Sequence, residues 1–167
     1  EIRLSLVGSE MCIRDRLRDD IETIHAATDL LAEAKLSPEL RNEALYYRAK
    51  AYTKQKADKK AMEDYRELAK DTRNSYGAEA KYQVAQSLYD AKEYAAAEKE
   101  LLNYIEQSTP HAYWLARSFI LLSDVYHATG KDLDARQYLL SLQQNYQGND
   151  DIESMIESRL SKLKVEN

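Results

Sequence analysis

The feature that most constrains this chain is a pair of small residues, Ala85 and Ala97, set twelve apart on two consecutive apolar stripes. The stretch 77–105 reads as two amphipathic helices joined by a very short turn, the first burying Val84, Ala85 and Leu88 and the second Ala97, Leu101, Tyr104 and Ile105. Small side chains let the two axes approach, and Leu88 and Leu101 fill the space around the contact, as ridge-into-groove packing requires. The same device recurs on either side, with Ala49 and Ala61 before it and Ser123 and Ala135 after it. Ala61, Ala97 and Ala135 stand 36 and 38 residues apart, and Tyr52, Leu88 and Tyr126 each lie nine residues before them. A recurrence of this length predicts an array of helical hairpins.

The rest of the chain supports an all-α reading. From Leu17 the positions Leu17, Ile21, Ile24, Ala27, Leu30, Leu31 and Ala34 recur at three and four, which predicts one helix to about Lys35. Ser37-Pro38 places an N-cap before a proline at the first helical position and starts a helix that runs to about Gln55. The next helix is expected from Asp58 to about Thr72, with Ala61, Tyr65 and Leu68 inward. Ser108-Thr109-Pro110 should restart a helix by the same chemistry, burying Phe119, Leu122, Ser123 and Tyr126. Gly130 ends it, since glycine accepts the left-handed conformation found there. Ala135, Leu139 and Leu142 face inward on its successor. Asp150 with Glu153 predicts a capping box ahead of a last helix that carries Ile152, Met155, Ile156, Leu160 and Leu163.

Charge and composition exclude several functions. The formal net charge of −5 opposes a nucleic-acid surface, which needs clustered Lys and Arg. No apolar run reaches the roughly 18 residues of a membrane span. No phosphate loop, His-Glu-x-x-His helix, nucleophile elbow or paired Cys ligands occur, and His25, His111 and His127 fall on three different hairpins. The expectation is a protein without catalysis, metal or cofactor. Thirteen Tyr stand against one Phe and one Trp, and tyrosine serves either as a core residue with a wet end or as a contact residue.

With small residues at Ala49, Ala85 and Ser123, small again at Ala61, Ala97 and Ala135, and bulky ones at Tyr65, Leu101 and Leu139, the chain resembles the tetratricopeptide-repeat family from about Asp19 to Leu163. The resemblance implies a right-handed solenoid of antiparallel hairpins. Its expected parts are the second helix of a truncated repeat at 17–36, whole repeats at 37–74, 75–108 and 109–148, and a C-terminal capping helix at 149–167. Two departures stand out: Lys81 replaces a large apolar residue, and Arg48 stands where a leucine is usual. The wording Tyr82-Gln-Val-Ala-Gln-Ser-Leu-Tyr89 is most similar to bacterial cell-envelope members, which implies a periplasmic or envelope location.

The family lines its concave groove with the first helix of each repeat. Carried over, this gives Tyr46, Lys50 and Lys54, then Tyr82, Gln86, Tyr89 and Asp90, then Asp124 and His127 as residues that hold a peptide or protein partner. As groove residues, Tyr82 and Tyr89 are expected to be solvated and dispensable for folding; the alternative is that these tyrosines pack between neighbouring repeats. The clamp that some relatives use for chaperone tails is not expected, because Tyr46, Tyr47 and Gln83 occupy its positions. The resemblance thus implies a non-enzymatic interaction scaffold. The alternatives are a subunit of a bacterial envelope assembly complex and a regulatory module of a longer protein. Self-association through the exposed N-terminal repeat is a further expectation.

The first sixteen residues differ in kind. Leu4-Ser-Leu-Val-Gly-Ser-Glu-Met-Cys-Ile-Arg-Asp15 breaks the helical period and holds the one cysteine, Cys12. The run resembles a translated sequencing adapter, with Glu10-Met-Cys-Ile-Arg-Asp15 matching the mosaic-end sequence, so 1–16 is expected to be non-native and the chain a fragment. Its three basic and three acidic residues leave the net charge unchanged.

Overall fold

The structure, a computed structural model, describes residues 20–107 and 109–163. The adapter-like run and Ser108 lie outside the described residues. All described secondary structure is helical, in eight helices, and the chain divides after Lys70 into two compact units.

The first unit holds α1 (Asp20–Leu31), α2 (Pro38–Lys54) and α3 (Asp58–Leu68). Helix α2 packs on both α1 and α3. It starts where the sequence says: Ser37 is the N-cap, its hydroxyl accepts from the Leu40 amide at 3.3 Å, and Pro38 follows as the first helical residue. Ala49 and Ala61 are buried at the α2 and α3 contact. Beside them lies the first of the two departures. Arg48 forms a fork on Asp64 of α3, with Nε and Nη2 donating at 2.8 and 2.7 Å, and Nη1 donates to Thr28 of α1 at 3.2 Å. A charge stands where leucine was expected because the facing helix supplies a buried carboxylate for it.

Three corrections fall in this unit. Helix α1 stops at Leu31 rather than Lys35, leaving Ala34 exposed. Its buried stripe is Thr23, Ala27 and Leu30, so Ile21 is 57% exposed instead of turned inward. Helix α3 ends at Leu68 rather than near Thr72.

The second unit holds α4 (Ser75–Asp90), α5 (Tyr94–Glu106), α6 (Ala112–Ala128), α7 (Asp132–Asn145) and α8 (Ile152–Lys162). Helix α6 touches all four others, while α4 also packs on α5 and α7 on α8. That central place explains why α6 buries residues on every side, among them Ile120, Leu121, Leu122 and Val125. Ala85, Ala97, Ser123 and Ala135 are buried, as the twelve-residue spacing requires. The second departure is resolved as the first was: Lys81 reaches Glu100 of α5 at 2.6 Å, with its side chain 11% exposed.

Helix α6 begins at Ala112 and not at Pro110, because Thr109 does other work. Its hydroxyl accepts from the His111 amide and donates to the Thr72 carbonyl at 3.0 Å, tying the segment before α6 to the segment before α4. The expected capping box of α8 is also absent. The Asp150 carboxylate instead accepts from the Ile152 amide at 3.0 Å and from the Tyr146 hydroxyl, an Asx-type turn in place of a cap.

One local device recurs in both units. After α2, α4 and α6 the chain takes a left-handed residue, Lys56 (φ 57°), Lys92 (φ 61°) and Gly130 (φ 77°). The amide that follows each bonds back to the carbonyl five residues earlier: Ala57 to Tyr52, Glu93 to Leu88, Lys131 to Tyr126, at 2.8–2.9 Å. These are Schellman turns, and they satisfy the last carbonyls of each helix. Gly130 behaves as the sequence predicts, whereas the two lysines adopt a conformation their type normally avoids.

Candidate functional site

On α4, Tyr82, Gln86 and Asp90 recur every four residues and so share one face of the helix. The face is turned toward α6, which presents Tyr113, Trp114 and Arg117. The Arg117 guanidinium sits 4.9 Å from the centre of the Tyr82 ring, with Tyr113 and Trp114 within 5.9 Å. Its Nη1 donates to the Tyr113 hydroxyl at 2.9 Å and its Nη2 to the Tyr82 hydroxyl at 3.1 Å. Tyr82 in turn donates to Gln86 Oε1 at 2.9 Å, and the Gln86 amide donates to Asp90 Oδ1 at 2.9 Å. The four side chains form a single directed chain of hydrogen bonds from a cation to an anion, an arrangement in which each bond polarises the next.

Burial raises the Tyr82 phenol above its ordinary pKa, opposed by the adjacent Arg117 charge, so the ring stays a neutral link. Trp114 lies 5.5 Å from the Tyr82 ring and closes the cluster. Tyr82 is only 6% exposed. This corrects the expectation of a solvated groove ring: Tyr82 belongs to the core, and only its hydroxyl takes part in the polar face.

Further along, Asp124 of α6 accepts from Arg159 of α8 through Nε and Nη2, each at 3.2 Å. Tyr89 is half-buried beside Tyr94, with ring centres 5.6 Å apart. Its phenol is raised by burial and by the neighbouring Asp124 carboxylate. The structure therefore brings Tyr82, Gln86, Tyr89, Asp90 and Asp124 onto the α4, α6 and α8 side of the second unit. His127 does not join them. Its Nδ1 bonds Asp132 at 2.8 Å and fastens the end of α6 to the start of α7.

The remaining expected residues belong to the first unit. Tyr46 is buried at 8% exposure and packs edge-on against Tyr47 at 5.3 Å, again a core ring rather than a free one. Lys50 lies over it, donating to its hydroxyl at 3.0 Å. Lys54 pairs with Asp20 of α1 at 3.5 Å.

Sequence reasoning missed Arg117, Tyr113, Trp114 and Arg159. A usable signal existed, because Arg117 lies 35 residues after Tyr82 and Arg159 lies 35 after Asp124. A search for polar residues one repeat apart, rather than along each helix, would have paired them. A separate apolar hollow of about 380 Å³ lies between α6 and α7, floored by Leu115, Phe119 and Leu142. It shares no residue with the hydrogen-bonded chain. Among the described residues, no group of three or more His, Cys, Asp or Glu could hold a metal ion, and no helix is long and apolar enough to cross a membrane.

No family model matches the chain, and neither a curated protein nor a solved structure matches it significantly.

Proposed function

We propose that the chain is a non-enzymatic scaffold of tetratricopeptide-like hairpins that binds an extended peptide or protein segment along the α4, α6 and α8 side of its second unit. The observation that carries this reading is the pairing of equivalent helices one repeat apart. Helix α4 packs on α6 and α6 on α8, and polar side chains 35 residues apart bond across each contact. The identical turns at Lys56, Lys92 and Gly130, spaced 36 and 38 residues like the small residues, support a solenoid. Gln86, Asp90 and the half-buried aromatic rings supply what an extended backbone needs, namely donors, acceptors and flat contact area at low entropy cost.

The test is selection of random displayed peptides on the purified chain, followed by mapping of the selected peptides through backbone amide chemical shifts. Shifts concentrated on α4, α6 and α8 are the expected result. Shifts confined to other helices, or no retained peptide, would sink the reading.

A further inference from the structure

We infer that the segment held by this face carries one acidic and one basic side chain about four residues apart, the acid over Arg117 and the base over Asp90. The inference rests on the peptide-binding reading and specifies its chemistry. Among the described residues, the other half-buried Lys and Arg side chains meet a carboxylate: Arg48 meets Asp64, Lys81 meets Glu100, and Arg159 meets Asp124. Arg117 meets only the Tyr82 and Tyr113 hydroxyls and three ring faces, and it makes no ion pair among the described residues. Its two Nη nitrogens each carry a second N–H beyond the bonds to Tyr113 and Tyr82, so the hydrogen-bonding capacity of the guanidinium is not exhausted.

Asp90 is the opposite pole. It is exposed at the end of α4, accepts one bond from Gln86 through Oδ1, and makes no ion pair among the described residues. The bonds between the poles all point the same way, from Arg117 through Tyr82 and Gln86 to Asp90. Each pole thus keeps part of its charge for an outside partner. The rings beside Arg117 lower the local dielectric and strengthen a carboxylate contact there. From Tyr82 to Asp90 is about 12 Å along the helix axis, which an extended chain covers in roughly four residues.

The experiment repeats the peptide selection on the full chain and on Asp90→Lys, with circular dichroism melting to show that the variant is folded. Peptides retained by the unaltered chain should carry an acid and a base about three to five residues apart. Those retained by Asp90→Lys should carry a second acid in place of the base. A peptide selected on the unaltered chain should bind the variant about tenfold more weakly, the loss of one charge-assisted contact. Peptides that bind α4 and α6 without the charge pair, or that both proteins select alike, would overturn the inference and leave peptide binding standing. Retention of no peptide would overturn both.

Discussion

Helix pairs α2 with α3 and α6 with α7 use the same turn and bury small residues at the same twelve-residue spacing, yet they fill the space beside those residues with opposite chemistry. In the first unit Arg48 and Asp64 form a forked ion pair with side chains 18% and 6% exposed. At the places that correspond by spacing, the second unit has Leu122, fully buried, and Tyr138, whose ring lies 5.8 Å from Phe119 and 5.5 Å from Tyr126. Apolar packing gains free energy with each group removed from water. A buried ion pair gains little net, because desolvation offsets the attraction, but it penalises any arrangement that separates the charges. The contrast teaches that one backbone pairing tolerates either filling provided the facing helix answers in kind.

The largest effect should come from the apolar side of this comparison. Truncating Leu122 and Leu139 to Ala removes two fully buried side chains, at about 2–5 kcal/mol each. The double variant should unfold at far lower denaturant than the parent chain, with loss of Trp114 fluorescence as the reporter of the second unit. A variant that melts like the parent would show that α6 and α7 are not the core of that unit.

The ionic side should respond asymmetrically. Asp64→Leu alone strands the Arg48 charge and should destabilise by about 3 kcal/mol, whereas Asp64→Leu with Arg48→Leu should return to within about 1 kcal/mol of the parent chain. Chemical denaturation of the four members of the cycle measures this directly. If the double variant is as unstable as the single one, the pair is needed for more than charge balance and the two fillings are not interchangeable.

Alkali should act on the second unit. Burial raises the phenols of Tyr82, Tyr104 and Tyr126, and it pushes Tyr146 up to about 12, helped by its bond to Asp150. A folded pKa above the unfolded value of about 10 means that the unfolded chain loses the proton first. Stability is therefore complete below pH of about 10 and falls above it, over a window that for Tyr146 closes near 12. Melting followed by Trp114 fluorescence against pH should show this decline. A melting temperature that stays flat through that range would mean that these phenols are solvated.

Much of this organisation was legible because it is periodic. The small pairs Ala49 with Ala61, Ala85 with Ala97 and Ser123 with Ala135 gave the helix contacts, and Ser37-Pro38 gave the start of α2, since both depend on residues close in sequence. The ion pairs behind Arg48 and Lys81 were not legible as such. A lone charge on an apolar stripe reads as a defect until the facing carboxylate is known. The candidate site was half legible for the same reason: Tyr82, Gln86 and Asp90 recur along one helix, but Arg117 joins them only through the packing of α4 on α6. Tyr82 itself shows that a residue type suited to two roles does not declare which one it fills. Its ring is core, and its hydroxyl joins Arg117 to Gln86.

The smallest effect concerns the turns, where both units share one geometry. Gly130 has φ 77°, and a Cβ added there meets no atom within 4 Å, so Gly130→Ala is opposed by backbone conformation alone. That term is about 1–2 kcal/mol, reduced by about 0.4–1 kcal/mol because alanine leaves the unfolded chain less freedom. The reverse change at Lys56 or Lys92 should stabilise by the same small difference, about 0.5 kcal/mol. Thermal melting of Gly130→Ala, Lys56→Gly and Lys92→Gly, each compared with the parent, resolves these values. Equal gains at Lys56 and Lys92 would show that the turn is an autonomous unit, indifferent to which ion pair, Arg48 with Asp64 or Lys81 with Glu100, spans the neighbouring helix contact. A loss at either position would show that the lysine side chain contributes a contact that outweighs its strained backbone, and the two units would then differ in their turns as well as in their cores.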